Sequence, residues 1–486
     1  MTQDLRFTVP RGAVRATIAR PILIGLGVFG VVLLFLTATF FAIGGGQIVN
    51  VMRGPVLPSG NITATPLGDL EYLRQVVLKN ERGVTRDKLE QFEKTIRTLT
   101  IDQPLDGDAA SLVASQAMAK LDNAHSTLTN PCLHRLPIRV RWFADGLFIV
   151  KARSEWANLL GLKIVSIGER SPDKLLEHVA ELVSGNESWR RYRSEYFLVA
   201  PASIAFLGGE VGDDGVTLVT IDRNGQEASF SLKPDPDVLP SDAFWEWENQ
   251  LPGDGSFQTR GWKTLLRADM SLPLYLTETE KLFLLCDLPE HDASYIRMNG
   301  SINDEHMSVG QFTEKSLMFV RQSKRRNVIV DFRFNWGGGY DLTKTFTREL
   351  AKCVPAHGSI YVITGPNTFS AGLIGTARLK YFGDQKVVIV GTHAGDELQF
   401  RAEGFLVTLP ATGIKVYVST ARHDFQHPIG WFSDCFVLDK FLGVAVESIA
   451  PDVVVQNTGL SYASGRDEIL ETIFARISTS QPMPVP

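Results

Sequence analysis

From Lys281 to Gly391 two kinds of segment alternate, and that alternation restricts the chain to few architectures. "KLFLLCDL" and "ASYIRMNG" read as strands, "QFTEKSLMFVRQSK" as a helix and "NVIVDFRF" as a strand. "YDLTKTFTRELAKC" then reads as a helix, "SIYVIT" as a strand, "SAGLIGTARLKYFG" as a helix and "KVVIVG" as a strand. Short apolar runs between helical segments predict buried strands joined by crossover helices, that is, a parallel α/β sheet. The loops after such strands share one edge of the sheet, where helix N-termini present free N–H groups and a positive dipole end.

The 486 residues exceed what one core fills and predict about two to four domains. Residues 68–128 carry apolar residues at helical spacing in "DLEYLRQVVLKN", "TRDKLEQFEKTIRTL" and "DAASLVASQAMAKLDNAH". Near Ile138 the period changes to alternation in "IRVRWFADGLFIVKA", "KIVSIG" and "GVTLVTIDRNGQEASFSL", with Asn224-Gly225 a hairpin turn. Ser171-Pro172 caps the amphipathic helix "SPDKLLEHVAELV". Residues 236–275 show no clean period and read as a connection. The 49 basic and 54 acidic residues are interspersed, which argues against nucleic-acid binding. Cys132, Cys286, Cys353 and Cys435 form no ligand-spaced cluster, so no metal is expected; they serve as buried thiols or as up to two disulfides.

The N-terminus differs from this average. Arg6, Arg11, Arg15 and Arg20 precede an uncharged apolar run, Ile22 to Ile43. It matches the roughly 20 residues that cross a bilayer and exceeds the roughly 7 to 15 of a cleavable signal. An uncleaved single-pass anchor is therefore expected over a signal cut after "TATFFA". The arginine excess predicts a cytoplasmic N-terminus, with residues beyond Gly46 on the other side, periplasmic or extracellular.

Ser370, in "TGPNTFSAGLIG", falls where a strand turns into a helix. It reads either as an N-cap or as a nucleophile beside the N–H of Ala371. The loop "DFRFNWGGGYD" follows another buried strand, and Gly337 or Gly338 can present N–H groups unobstructed by side chains. Together with Ala371 these supply the two donors that acyl transfer needs for its oxyanion. The loop lacks the G-K-[ST] ending of a phosphate loop.

These segments together resemble the tail-specific, or C-terminal processing, serine peptidases, whose wider family includes the tricorn protease core. "VIVDFRFNWGGG" is similar to the family's D-L-R-x-N-x-G-G element and "PNTFSAGLIG" to its S-A-x-x nucleophile turn. "VVIVGTHAG", "GFLVTLPATGIKVYVST", "SIAPDVVV" and "GRDEILE" resemble later family elements in the same order. The resemblance implies a ClpP/crotonase-type fold, Ser370 as nucleophile, a peptide or protein-tail substrate and no cofactor. "WFADGLFIVKARSEWANLLGLKIVSIGERSPDKLLEHVAELV" is similar to a PDZ module, with Gly146, Leu147 and Phe148 near its peptide-carboxylate loop; residues 184–211 interrupt it, and peptide binding there stays open.

The pattern breaks at the general base. Many members use a lysine after the serine helix, but "HAGDELQF" puts Gly395 in that place, and Lys380 and Lys386 lie at a helix end and a strand start. His125 in "AKLDNAHSTL" resembles the D-x-H-[ST]-x-[LV] turn of the histidine-using, tricorn-like branch, and a neutral imidazole meets the requirement for a proton-shuttling base. Glu403, Asp434 and Glu447 are candidates for the acid that orients it, with no choice among them. His393, His423 and His427 keep an α/β-hydrolase order open, although "TFSAG" lacks the first glycine of G-x-S-x-G.

The expectation is thus an α/β protein: a ClpP/crotonase-like catalytic domain, a PDZ-like β-rich module, an N-terminal helical region and one transmembrane helix. Its segments are residues 1–20 cytoplasmic, 21–43 anchor, 44–67 linker, 68–134 helical, 135–235 PDZ-like, 236–280 connection and 281–486 peptidase. The rival expectation is a catalytically inactive protein binding peptides or lipophilic ligands on the same fold.

Overall fold

The computed structural model describes residues 13–60, 62–99, 105–130, 132–236, 261–267 and 269–479. Residues 1–12 of the expected cytoplasmic segment and 237–260 of the expected connection lie outside the described residues. A first helix, Ala13–Ala42, turns at Gly44 into a short second one, Gly46–Arg53. Large apolar side chains between Leu26 and Phe41 stand exposed on the first. Among the described residues no single helix is long and apolar enough to cross a membrane; Val28–Ala42 and Gly46–Arg53 pass that test only as a pair, bent by 79°.

Three helices follow, Pro66–Asn80, Arg86–Leu99 and Gly107–Ala119. Thr65 caps the first by accepting from Gly68 N, with Pro66 in the first turn, and Asp106 caps the third through Ala109 N. Their apolar faces, Leu70, Leu73, Val77, Phe92, Ala114 and Met118 among them, do not close a core alone. They pack on Val407, Leu409, Val416 and Val418 from far along the chain. Strand β1, Leu128–Asn130, joins the same unit.

The next strands are β2, Ile138–Phe143; β3, Gly146–Arg153; β4, Lys163–Ile167; β5, Val216–Ile221; and β6, Glu227–Leu232. They form an antiparallel sheet in that order, and β7, Trp262–Thr264, pairs with β3 inside what reads from sequence as a connection. Leu147 and Phe148 of β3 pair with Trp142 and Arg141 on one side and with Ile164 and Lys163 on the other. A peptide tail cannot add as a strand beside a strand whose two edges are occupied. Leu147 is buried in this unit's core, and the Phe148 ring packs on Phe143 and against Gly459. The expected substrate contact at Gly146, Leu147 and Phe148 therefore has no open edge to use.

The C-terminal half builds the α/β layer expected from the alternation. Its strands are β8, Phe283–Leu288; β9, Ala293–Met298; β10, Asn327–Asp331; β11, Ile360–Thr364; and β12, Val387–Gly391. Strands β13, Gln399–Ala402; β14, Phe405–Thr408; β15, Lys415–Val418; and β16, Ala421–Asp424 come next, then β17, Val453–Val454. The central order is β17-β12-β11-β10-β9-β8, parallel throughout except for β8. One face buries Val328, Val330, Val362 and Ile389 with Phe312, Phe346, Leu350, Leu373 and Ala377 of three crossover helices. The other buries Ile329, Ile363 and Val390 under Leu470, Ile473 and Ile477 of helix Glu468–Thr479. Two-sided burial is why these strands read as unbroken apolar runs. Hairpin β14–β15 pairs with β1, and β13 pairs with β16. All four cysteines are free thiols.

Candidate active site

Strand β10 ends at Asp331, and the turn beyond it is pinned. The Arg333 guanidinium lies 2.9 Å from Asp331 Oδ2 and 2.8 Å from Asp467 Oδ2, and Tyr295 Oη donates to Asp331 at 2.7 Å. "VDFRF" and "GRDEILE", far apart in sequence, thus meet in one buried cluster that sets the course of the glycine loop. The would-be Cβ of Gly337, where φ is +126°, stands 2.7 Å from Ser370 Cβ, so only glycine lets the loop lie this close.

Ser370 precedes helix Ala371–Gly383 with φ +51° and ψ −119°, and its side chain makes no cap hydrogen bond. A non-glycine residue in this region is strained by roughly 1–3 kcal/mol. The capping reading therefore fails, since an N-cap adopts extended backbone and bonds the helix start. Of the glycine-loop amides, Gly337 N–H donates to Asn335 Oδ1 at 3.2 Å. The N–H groups of Gly338 and Ala371 have no hydrogen-bond partner among the described residues.

His125 reaches the same cleft from the other end of the chain. The cleft encloses about 280 Å³ and includes His125, Ser370, Gly338, Glu403, Tyr417 and Trp336 in its lining. His125 Nδ1 lies 2.9 Å from Asp396 Oδ2, both side chains are buried, and the ring stacks on Phe400 at a centroid distance of 5.0 Å and meets the tilted Phe369 ring at 4.3 Å. Its Nε2 is buried and has no hydrogen-bond partner among the described residues. An Nδ1–H donated to a carboxylate leaves the Nε2 lone pair free to accept a proton. No hydrogen bond joins it to Ser370 Oγ, although both line the same cleft.

The turn carrying His125 is itself held. Asn123 Nδ2 donates to Ser126 Oγ at 2.8 Å and Ser419 Oγ at 3.0 Å, while Ser126 Oγ and Ser419 N donate to Glu81 at 2.6 and 2.9 Å. Burial pushes the Glu81 carboxyl up to about 7, against the opposing effect of those hydrogen bonds.

The three acids picked out in the sequence lie elsewhere in the hydrogen-bond network. Glu403 lines the cleft, but its neighbour is the buried His423, whose Nε2 is 3.7 Å away; Asp434 is exposed and pairs with Arg422; Glu447 borders a different hollow. The acid at His125 is Asp396, which sequence reasoning missed although it directly follows Gly395 in the quoted "HAGDELQF" on the loop after β12. No lysine fits at Gly395, because a Cβ there would stand 2.1 Å from Pro366 O. Lys380 pairs with Asp452, and Lys386 caps the carbonyls of Ala351 and Val354. His393, His423 and His427 are absent from the cleft lining.

Among solved structures, mature CPAF superposes with a TM-score of 0.54 at 14% identity, covering 87% of this chain and 99% of that one. The chain shares the fold of mature CPAF. CPAF complexed with lactacystin aligns equally well, over 86% of this chain and 98% of that one. The photosystem II D1 C-terminal processing protease aligns over 80% and 93% of the two chains, with a TM-score of 0.33 and 12% identity. No family model and no curated protein sequence matches the chain.

Proposed function

We propose that the protein is a serine peptidase of the C-terminal processing kind, in the branch that uses histidine. The observation that carries this is the free Nε2 of His125, oriented through Nδ1 by Asp396, in one cleft with an uncapped, strained Ser370. Ser370 Oγ attacks the scissile carbonyl carbon while Nε2 takes its proton, and the amides of Gly338 and Ala371 hold the oxyanion. The imidazolium then gives its proton to the leaving amine, which departs as the C–N bond breaks. Water, deprotonated in the same way, releases the acid and frees Ser370. Gly337 serves by its small size, since its own amide is engaged. The chemistry uses side-chain and backbone groups alone, and the substrate is a peptide or protein tail.

A second part of the reading places the chain on a membrane through the apolar segment 22–43, with the peptidase domain extracytoplasmic. The exposed apolar side chains of helix Ala13–Ala42 support it. A reporter fused at the C-terminus and active only in the cytoplasm tests it: a signal there contradicts this topology.

The rival, a ligand-binding protein on the same fold, draws on the aromatic lining of the cleft by Trp189, Trp336, Phe369 and Tyr417. A fluorophosphonate probe on the purified full chain separates the two. The peptidase labels, and Ser370→Ala abolishes labelling; a binding protein stays unlabelled.

A further inference from the structure

The loop that follows β16 presents two aromatic side chains to solvent: Phe432 is 84% exposed, and Trp431 beside it is more than half exposed. Phe441 is also exposed and meets the Trp431 ring edge-on at 5.3 Å. Such side chains need an explanation when they are contiguous and fixed in place.

They are fixed to one particular point, the end of the apolar first helix. Lys440 Nζ donates to Ile43 O at 2.8 Å, Trp431 O at 2.8 Å and Ser433 O at 3.0 Å, clamping the loop to the last residue of the apolar run. Gln47 grips the same loop, donating to Asp434 O at 3.0 Å and accepting from Val437 N at 3.2 Å. Ile43 and Ile48 pack on the core of the catalytic layer. The bend is therefore part of the folded domain and not a free tether.

The 79° turn between the helices gives the patch its plane. If the first helix runs along the bilayer normal, the second lies nearly parallel to the surface. Its Ile48 faces the protein, while Val49 and Met52, the latter 83% exposed, face away from it. Tryptophan and phenylalanine are the side chains that settle at the boundary between headgroups and acyl chains.

We propose that Trp431, Phe432 and Phe441, with Val49 and Met52, form a membrane-apposed face that seats the catalytic domain on the lipid interface beside its own anchor. This rests on the membrane reading above and adds to it: the domain docks on the bilayer instead of hanging from a linker. The occupant is lipid because the loop is bonded to the exit of an apolar helix, which would bring it to the depth of the interface.

The test uses the full chain reconstituted in phosphatidylcholine vesicles, with and without bromine on the acyl chains. Flotation after an alkaline wash reports the anchor, and quenching of tryptophan by the brominated lipid reports contact. Wild type should float and be quenched, and Trp431→Phe should float but lose about the share of one of the 8 tryptophans. Phe432→Ser should lessen quenching of Trp431 while leaving fluorophosphonate labelling unchanged. Equal quenching of wild type and Trp431→Phe in chains that float would overturn the docked face and leave the anchor standing. Failure to float would overturn the anchor reading and the docked face with it. A Trp431 signal that lipid leaves alone but that shifts with protein concentration would make the patch a self-association surface, contrary to the proposal.

Discussion

His125 Nδ1 and Asp396 Oδ2, separated by 271 residues in sequence, lie 2.9 Å apart in a buried pair. The contact fixes which imidazole nitrogen carries the proton, so its loss should act on chemistry more than on folding. Asp396→Asn is expected to slow acylation of Ser370 by up to about four orders of magnitude, as in other triads where the wrong tautomer is favoured. Circular dichroism should show an unchanged fold. Wild-type rates in Asp396→Asn would rule out Asp396 as the group that orients His125.

Glu81 gives a pH signature that belongs to folding. Its carboxyl is held near 7 against an ordinary 4.5, so between these values the native state binds the proton that the unfolded chain has released. Stability from this group is full below about 4.5 and falls as pH rises toward 7, by on the order of 3 kcal/mol. Glu81→Gln imitates the protonated form and should flatten that fall. Urea midpoints at pH 5 and pH 7.5 for both proteins check it; parallel pH dependence would contradict the assignment.

Gly337→Ala places a methyl group 2.7 Å from Ser370 Cβ at a backbone φ of +126°. One of the two must move, and if Ser370 is the nucleophile, as proposed, its displacement by about 1 Å costs around two orders of magnitude. Single-turnover labelling is expected to fall at least that far.

Gly395→Lys tests whether the place where many C-terminal processing peptidases carry a lysine is usable in this chain. Pro366 O and the Trp189 ring occupy the space a side chain needs, so the substitution should destabilise by about 1–3 kcal/mol or more and leave acylation no faster. A gain in rate would mean that a lysine base can be accommodated.

The central sheet was legible because its strands are buried on both faces and its helices keep their period. Ser370 and the glycine loop were legible for the same reason, lying where strands of a parallel layer end. Asp396 was not, since an acid in a loop reads as a solvated charge until the fold carries it against the His125 ring. Nor was the closed β3, because one edge is taken by β2 while the other is shared by β4 and β7, and β7 arrives from a distant part of the chain. The helices of residues 68–134 were legible from their period, but not that β14 and β15 complete their apolar faces, a long-range contact with no local signal.

The rate at which Ser370 is acylated by a fluorophosphonate in wild type, His125→Ala, Lys380→Ala and Lys386→Ala tests the histidine base most directly. His125→Ala should be slower by several orders of magnitude, while both lysine variants keep the wild-type rate. Undiminished acylation in His125→Ala, with loss in either lysine variant, would contradict it.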